Sequence, residues 1–157
     1  MRLTVAAVGR FGGARAKAGP LKAQFDDYAK RIAWPLDVRE VEEKRKLSAP
    51  ELKKREGELL LAAVPKGAVV VALDETGQTL TSAEFAARIA KWRDGGTKDL
   101  CFVIGGAGGL DKAVLERAQL VLSFGRLTWP HLLVRVLLAE QIFRAQSILQ
   151  GHPYHRE

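Results

Sequence analysis

The stretch AVVVALD, Ala68 to Asp74, leaves a chain few options. Its apolar residues run unbroken up to Asp74, where a strand with one wet face would alternate with polar residues. Its valines are stiff at χ1 and favour a strand over a helix, so the stretch reads as a strand covered on both faces. DLCFVI, Asp99 to Ile104, repeats the pattern, and Leu3–Val8 and Leu120–Ser123 are shorter versions of it. Strands of this kind belong in parallel sheets, whose crossover connections lay helices on both faces.

The intervening segments carry helical signals. From Leu21, apolar residues recur at Phe25, Tyr28, Ala29 and Ile32, one helical face, with Pro35 as the stop. Leu36–Val41 reads as a weaker strand. Ser48 stands three residues before Glu51, and Thr81 three before Glu84. Both pairs are capping boxes, opening helices that run to about Val64 and through EFAARIAKW to Gly95 and Gly96. Asp111 caps a short helix to about Ala118, and the longest helix spans Leu132 to Gln150, with Gly151 as its left-handed stop. The expected fold is a single α/β domain over residues 1–157. It has about five parallel strands covered by helices on both faces, with ligands at the carboxyl ends of the strands.

Composition narrows the function classes. The 157 residues are 47% hydrophobic and 27% charged, as in ordinary globular proteins. No apolar run approaches the roughly 18 residues of a membrane span, and RLTVAAVG at the N-terminus is too short for a signal peptide and reads as structure. The single cysteine, Cys101, has no C-x-x-C neighbour for a metal and fits a reducing cytoplasm, so no metal site is expected. A net charge of +7, from 25 Lys and Arg against 18 Asp and Glu, favours an anionic partner. Arg10, Arg15, Lys17 and Lys22 fall in one glycine-containing stretch without an acidic residue, suited to a phosphate backbone or simply to solvent.

The long helix LLVRVLLAEQIFRAQSIL is apolar nearly all the way round, broken mainly by Arg135, Glu140, Gln141, Arg144 and Gln146. One side can cover the sheet, and the other is expected to meet a second copy in a homodimer. Glu140 lies four before Arg144, the spacing of a helical ion pair. Arg135 has no such local partner.

Two loops and a tail carry chemistry. VIGGAGGLD lacks the GK[ST] of a P-loop, and in the G-x-G-x-x-G register it places Asp111 where the third glycine belongs. What remains is a set of glycines, Gly105, Gly106, Gly108 and Gly109, able to turn tightly and approach a ligand closely. ALDETG and FGRLTWPH also follow strands, so three loops converge on one cleft of backbone, Gly, Leu and Trp, suited to an adenine-containing cofactor. Asp74 and Glu75 read as solvated turn residues, and His131 as part of the long helix's start or a neighbour of the cofactor loop. The chain closes on GHPYHRE, which gathers two of three histidines and one of two tyrosines where most chains fray.

LDETG, IGGAGGL, LTWPHLLVRVLLAEQIFRA and HPYHRE, in that order, resemble the ribosomal RNA large-subunit methyltransferase H family across essentially the whole chain. The resemblance implies an α/β-knot (SPOUT) methyltransferase with a C-terminal trefoil knot. It also implies an S-adenosylmethionine-dependent homodimer acting in the assembled ribosome on N3 of pseudouridine 1915, in helix 69 of 23S ribosomal RNA. By motif position, the cofactor contacts fall on Leu73, Gly105, Phe124, Gly125, Arg126, Leu127, Thr128 and Trp129. The imide N3 of pseudouridine must lose a proton before it attacks, which calls for a base or a stabilising cation. His155 is the first choice of base and His152 the alternative, with Tyr154 stacking on the uracil ring and Arg156 holding a phosphate or carbonyl oxygen. The tail is expected to sit beside the cleft as a lid. The rival reading is a non-catalytic, ribosome- or RNA-binding dimeric module.

Overall fold

The computed structural model describes residues 1–12 and 19–156. Arg15 and Lys17 of the basic stretch lie outside the described residues.

Five parallel strands form one sheet in the order β2-β1-β4-β3-β5: β1 Arg2–Val8, β2 Leu36–Val41, β3 Val69–Thr79, β4 Asp99–Ile104 and β5 Leu120–Ser123. β4 sits at the centre, and its Leu100, Cys101, Phe102 and Val103 are completely buried, as its unbroken apolar sequence requires. Among the described residues four helices connect the strands, α1 Pro20–Ala29, α2 Ala49–Ala63, α3 Ser82–Asp94 and α4 Lys112–Arg117, and α5 His131–Leu149 follows β5. Alternate residues of each strand serve opposite cores. Leu3, Val5, Phe102 and Ile104 meet Phe85 of α3 and Leu138 and Ile142 of α5. Ala6, Val8, Cys101 and Val103 meet Leu60 of α2 and Val114 of α4. Each large aliphatic or aromatic side chain so buried contributes about 1.5–3 kcal/mol.

Local sequence rules account for most of the helix ends. Thr81 and Glu84 make both bonds of a capping box. At Ser48 only half of one forms, because the Glu51 carboxylate takes the Ser48 hydroxyl instead of its backbone N–H. Asp111 accepts from the Ala113 N–H at the head of α4. α1 ends at Ala29, well before Pro35; a turn then carries Ile32 into the core. Gly151, at φ +67, closes α5 with paired bonds, Gly151 N–H to Ile148 O and His152 N–H to Ser147 O.

α5 needs less outside cover than its sequence promised. α1 and α3 flank it, with Phe25 of α1 against Val136 and Ala139 and Ser82 of α3 bonded to Gln141 at 2.8 Å. Much of its apolar circumference is therefore covered within one chain. Arg135, without a partner in the sequence reading, is completely buried, and its guanidinium bonds Glu40 of β2 and two carbonyls at the end of β1. On the opposite face, Glu56 of α2 is 8% exposed, and burial raises its carboxyl pKa.

Candidate active site

β3 does not end at Asp74. It continues to Thr79, and Leu73 and Gln78 both pair with Leu122 of β5, so the residues between them are looped out of the ladder. The loop is possible because Gly77 lies on the β5 backbone: a Cβ there would stand 2.6 Å from the carbonyl carbon and oxygen of Val121. Asp74 folds back on Thr76, accepting from its N–H at 3.0 Å and from its hydroxyl. Glu75 accepts from the Thr128 hydroxyl at 3.0 Å and so ties this bulge to the loop after β5. Asp74 and Glu75 line the cleft and keep contact with solvent, Glu75 exposed and Asp74 partly so, but they sit in a strand bulge rather than a plain turn. Alternating patterns reveal strands, but a bulge leaves no period to read.

The loop after β4 turns back on itself through a Gly106–Gly109 bridge, with the Gly109 N–H donating to Gly106 O at 3.0 Å. Gly109 has φ +80. A Cβ on Gly105 would lie 2.9 Å from the Gly109 backbone, so the close return demands glycine there. After β5, the Ser123 hydroxyl accepts from Gly125 N–H and donates to Gly125 O, holding that residue at φ +116.

These three loops enclose a cleft of ≈ 570 Å³ at the carboxyl edge of the sheet. Leu73, Gly105, Phe124, Gly125, Leu127, Thr128 and Trp129 all line it, as expected. Arg126 does not, and is exposed: in the turn held by Ser123 it faces away from its neighbours' cavity. The sequence reading missed Ile104, Leu110, Leu122 and Val134, which also line the wall; His131, expected at the helix start or near the cofactor loop, joins them. Ile104 and Leu122 are strand residues and Leu110 a buried loop residue, and none gives a signal apart from core. Leu127 and Trp129 are 73% and 40% exposed, a high exposure for large apolar groups and a mark of a surface that waits for a ligand.

The cofactor implied by the resemblance fits this cleft. Apolar side chains offer a bed for a flat adenine, and the glycine loop leaves backbone close enough to bond a polar ligand. Among the described residues no group of three His, Cys, Asp or Glu side chains is placed to hold a metal.

The tail lies elsewhere. None of His152, Tyr154, His155 or Arg156 lines the cleft, which corrects the expectation of a lid beside it. Gly151 turns the chain back along α5. The Tyr154 ring then meets Phe143 edge-on at 4.7 Å and lies under the Arg144 guanidinium at 4.9 Å. The Tyr154 hydroxyl donates to Glu140 at 3.1 Å. Burial, with bonds to Tyr28 and Glu140, pushes this phenol up to about 12, so it remains a donor. The expected Glu140–Arg144 ion pair forms at 2.6 Å, and Arg144 Nη1 stands 3.2 Å from His155 Nδ1. Since guanidinium only donates, it occupies the Nδ1 lone pair and leaves the imidazole proton on Nε2. His152 is exposed and accepts from the Tyr154 N–H at 3.2 Å; Arg156 is exposed.

Comparison with known proteins places this geometry. A family model described as "Predicted SPOUT methyltransferase" matches residues 1–155. The Ribosomal RNA large subunit methyltransferase H of Paramagnetospirillum magneticum is 59% identical, with 99% of each chain covered. Those of Rhodospirillum centenum and Paracoccus denitrificans are 56% and 49% identical, over 99% and 100% of each chain. Among solved structures, Archaeoglobus fulgidus Nep1 bound to S-adenosylhomocysteine overlaps 52% of this chain and 35% of its own at 17% identity. Its TM-score is 0.39, too slight a likeness to carry an argument. With the loops, the long helix and the tail through His155 inside the matched span, the chain belongs to the SPOUT methyltransferase family, together with the ribosomal RNA large subunit methyltransferase H proteins.

Proposed function

We propose that this protein is an S-adenosylmethionine-dependent methyltransferase of 23S ribosomal RNA, acting on N3 of pseudouridine 1915 in helix 69 of the assembled ribosome. The observation that carries the reading is the convergence of the β3, β4 and β5 loops on one glycine- and apolar-lined cleft, in a chain whose full-length relatives are named as ribosomal RNA large subunit methyltransferases. Cytoplasmic location follows from such a substrate; no helix among the described residues is long and apolar enough to cross a membrane. The C-terminal segment is proposed to pass through a loop as a trefoil knot, as the family resemblance implies.

When bound, S-adenosylmethionine supplies a methyl group activated by its sulfonium. The chain's residues do the rest. Phe124, Leu127 and Trp129 exclude water, while the Gly105 turn and the Thr128–Glu75 bond fix the walls that align nucleophile and methyl. The N3 proton must leave the target base, and the tail is proposed to receive it. His155 is the first choice of base and His152 the alternative, with Tyr154 against the uracil ring and Arg156 on a phosphate or carbonyl oxygen.

The docked position of the tail argues that it acts on another subunit's cleft. His155 becomes a base at Nδ1 only after release from Arg144, and its own cleft lies at the first turn of α5, about three turns from Arg144. A homodimer built on residues around 132–150 is proposed to bring one protomer's tail to the other's cleft, and both basic surfaces to the RNA.

Transfer of labelled methyl to ribosomes lacking the modification tests the proposal, with free ribosomal RNA and ribosomes without pseudouridine as controls. Incorporation at N3 in whole ribosomes alone is the expected result. Tight ribosome binding with no bound S-adenosylmethionine by calorimetry and no transfer identifies a non-catalytic binding module instead.

A further inference from the structure

His131 stands where the loop after β5 passes into α5, and it lines the cleft. It opens α5 and is half-buried, and its Nε2 lies 3.3 Å from where a Cβ on Gly9 would stand. Gly9, at φ +87 immediately after β1, leaves room for the ring to rest on the backbone. One turn along α5, Arg135 pins that backbone from below. Its Nη2 donates to Val8 O at 2.9 Å and Gly9 O at 2.8 Å, and its Nη1 to Glu40 at 2.6 Å. Its guanidinium also covers the Phe11 ring at 4.6 Å. The imidazole is therefore held against a fixed surface, with a permanent cation behind it.

The two cofactor states differ in charge at the reacting atom. S-adenosylmethionine carries a sulfonium; after methyl transfer the same sulfur is a neutral thioether. Resting on the cofactor reading above, we propose that His131 is a cofactor-discriminating residue: its neutral imidazole shares the cleft with the sulfonium, and its protonation expels S-adenosylmethionine while sparing the uncharged-sulfur product.

Burial, then the Arg135 cation, lowers the His131 pKa below the ordinary imidazole range, so the ring is neutral at neutral pH. The groups facing it come from several elements. Arg135 shares its helix, and Gly9 presents backbone from the end of β1. Glu40 of β2 lies beyond Arg135 and is bonded to it and to the Phe11 N–H. Asp74 and Glu75 of the β3 bulge line the same cleft, Asp74 tied to Thr76 and Glu75 to Thr128. A second positive charge on His131 thus arises beside Arg135, in the cleft that a sulfonium would enter.

Calorimetry of S-adenosylmethionine and S-adenosylhomocysteine, from pH 8 down to pH 5.5, tests this. The α-amino group titrates in both ligands and cancels in their ratio. In the native protein, S-adenosylmethionine should weaken about three- to tenfold more than S-adenosylhomocysteine as pH falls below the imidazole range. In His131→Gln the ratio of the two affinities should stay flat with pH. A ratio flat in the native protein, or one that falls equally in His131→Gln, overturns the proposal. Proton NMR of His131 in the unmutated protein gives a second readout. S-adenosylmethionine should lower the pH at which the ring titrates further than S-adenosylhomocysteine does, and equal displacement by both ligands overturns the proposal as well. Failure of S-adenosylmethionine to bind at any pH removes the cofactor reading itself and this inference with it, whereas binding with a flat ratio removes the inference alone.

Discussion

The first turn of α5 and its later turns are built from different materials. At His131 and Val134 the helix borders a cleft whose walls are mostly backbone, glycine and apolar side chain. From Glu140 to Arg144, about two to three turns further on, it carries a carboxylate, a guanidinium and an aromatic ring that hold the tail. The cleft has the shape to bind a cofactor and is walled mostly by groups that do not ionise; the tail dock gathers ionisable groups. One helix therefore separates binding from proton chemistry, and a second protomer is the simplest way to reunite them.

The cleft end is expected to be the more fragile. Gly77→Val puts side-chain atoms into the β5 backbone and should cost about 3 kcal/mol or more, with loss of cofactor binding; calorimetric melting and ligand titration read both. Arg135→Met removes a buried cation from Glu40 and two carbonyls. It should cost about 3 kcal/mol in chemical denaturation, and a smaller loss would mean that water already serves those carbonyls. At the tail end, Tyr154→Phe deletes one bond to Glu140. About 1 kcal/mol of tail docking should be lost, seen as faster amide exchange after Gly151 with the global melting point unchanged. Spread of that effect to the cleft would break the separation.

The smallest effect lies behind the cleft. Burial raises the folded-state pKa of Glu56 above its unfolded value. That acid therefore favours the fold at low pH, and its contribution is lost as pH rises through the carboxylate range. Glu56→Gln should flatten this part of the stability–pH curve and gain less than about 1 kcal/mol at neutral pH. Equal slopes in native and variant proteins would exclude Glu56 as the source.

How far the sequence foretold each region follows from the physics of its signals. β3 and β4 were legible because valine-rich runs without polar alternation have few other homes, and Thr81, Ser48 and Asp111 announced helix starts through their side-chain oxygens. The three cleft loops were legible as loops that follow parallel strands. The β3 bulge was not, because Gly77 reads as a turn residue until β5 is laid beside it. Arg135 was opaque for a similar reason: its partners, Glu40, Val8 and Gly9, lie about a hundred residues away in the chain. The tail residues were conspicuous by type, yet their location depended on a Schellman turn at Gly151 and on Glu140 and Arg144, whose ion pair was foreseen but whose hold on Tyr154 was not.

The division of labour along α5 is tested most directly by mixing two inactive variants. One carries Gly105→Val, which closes the cleft but keeps the tail; the other lacks residues 154–157 but keeps the cleft. Methyl transfer to unmodified ribosomes should return when the two are co-expressed and the heterodimer is purified, because an intact tail then reaches an intact cleft across the interface. A heterodimer that binds S-adenosylmethionine yet transfers no methyl would contradict action in trans and require cleft and tail to meet within one chain.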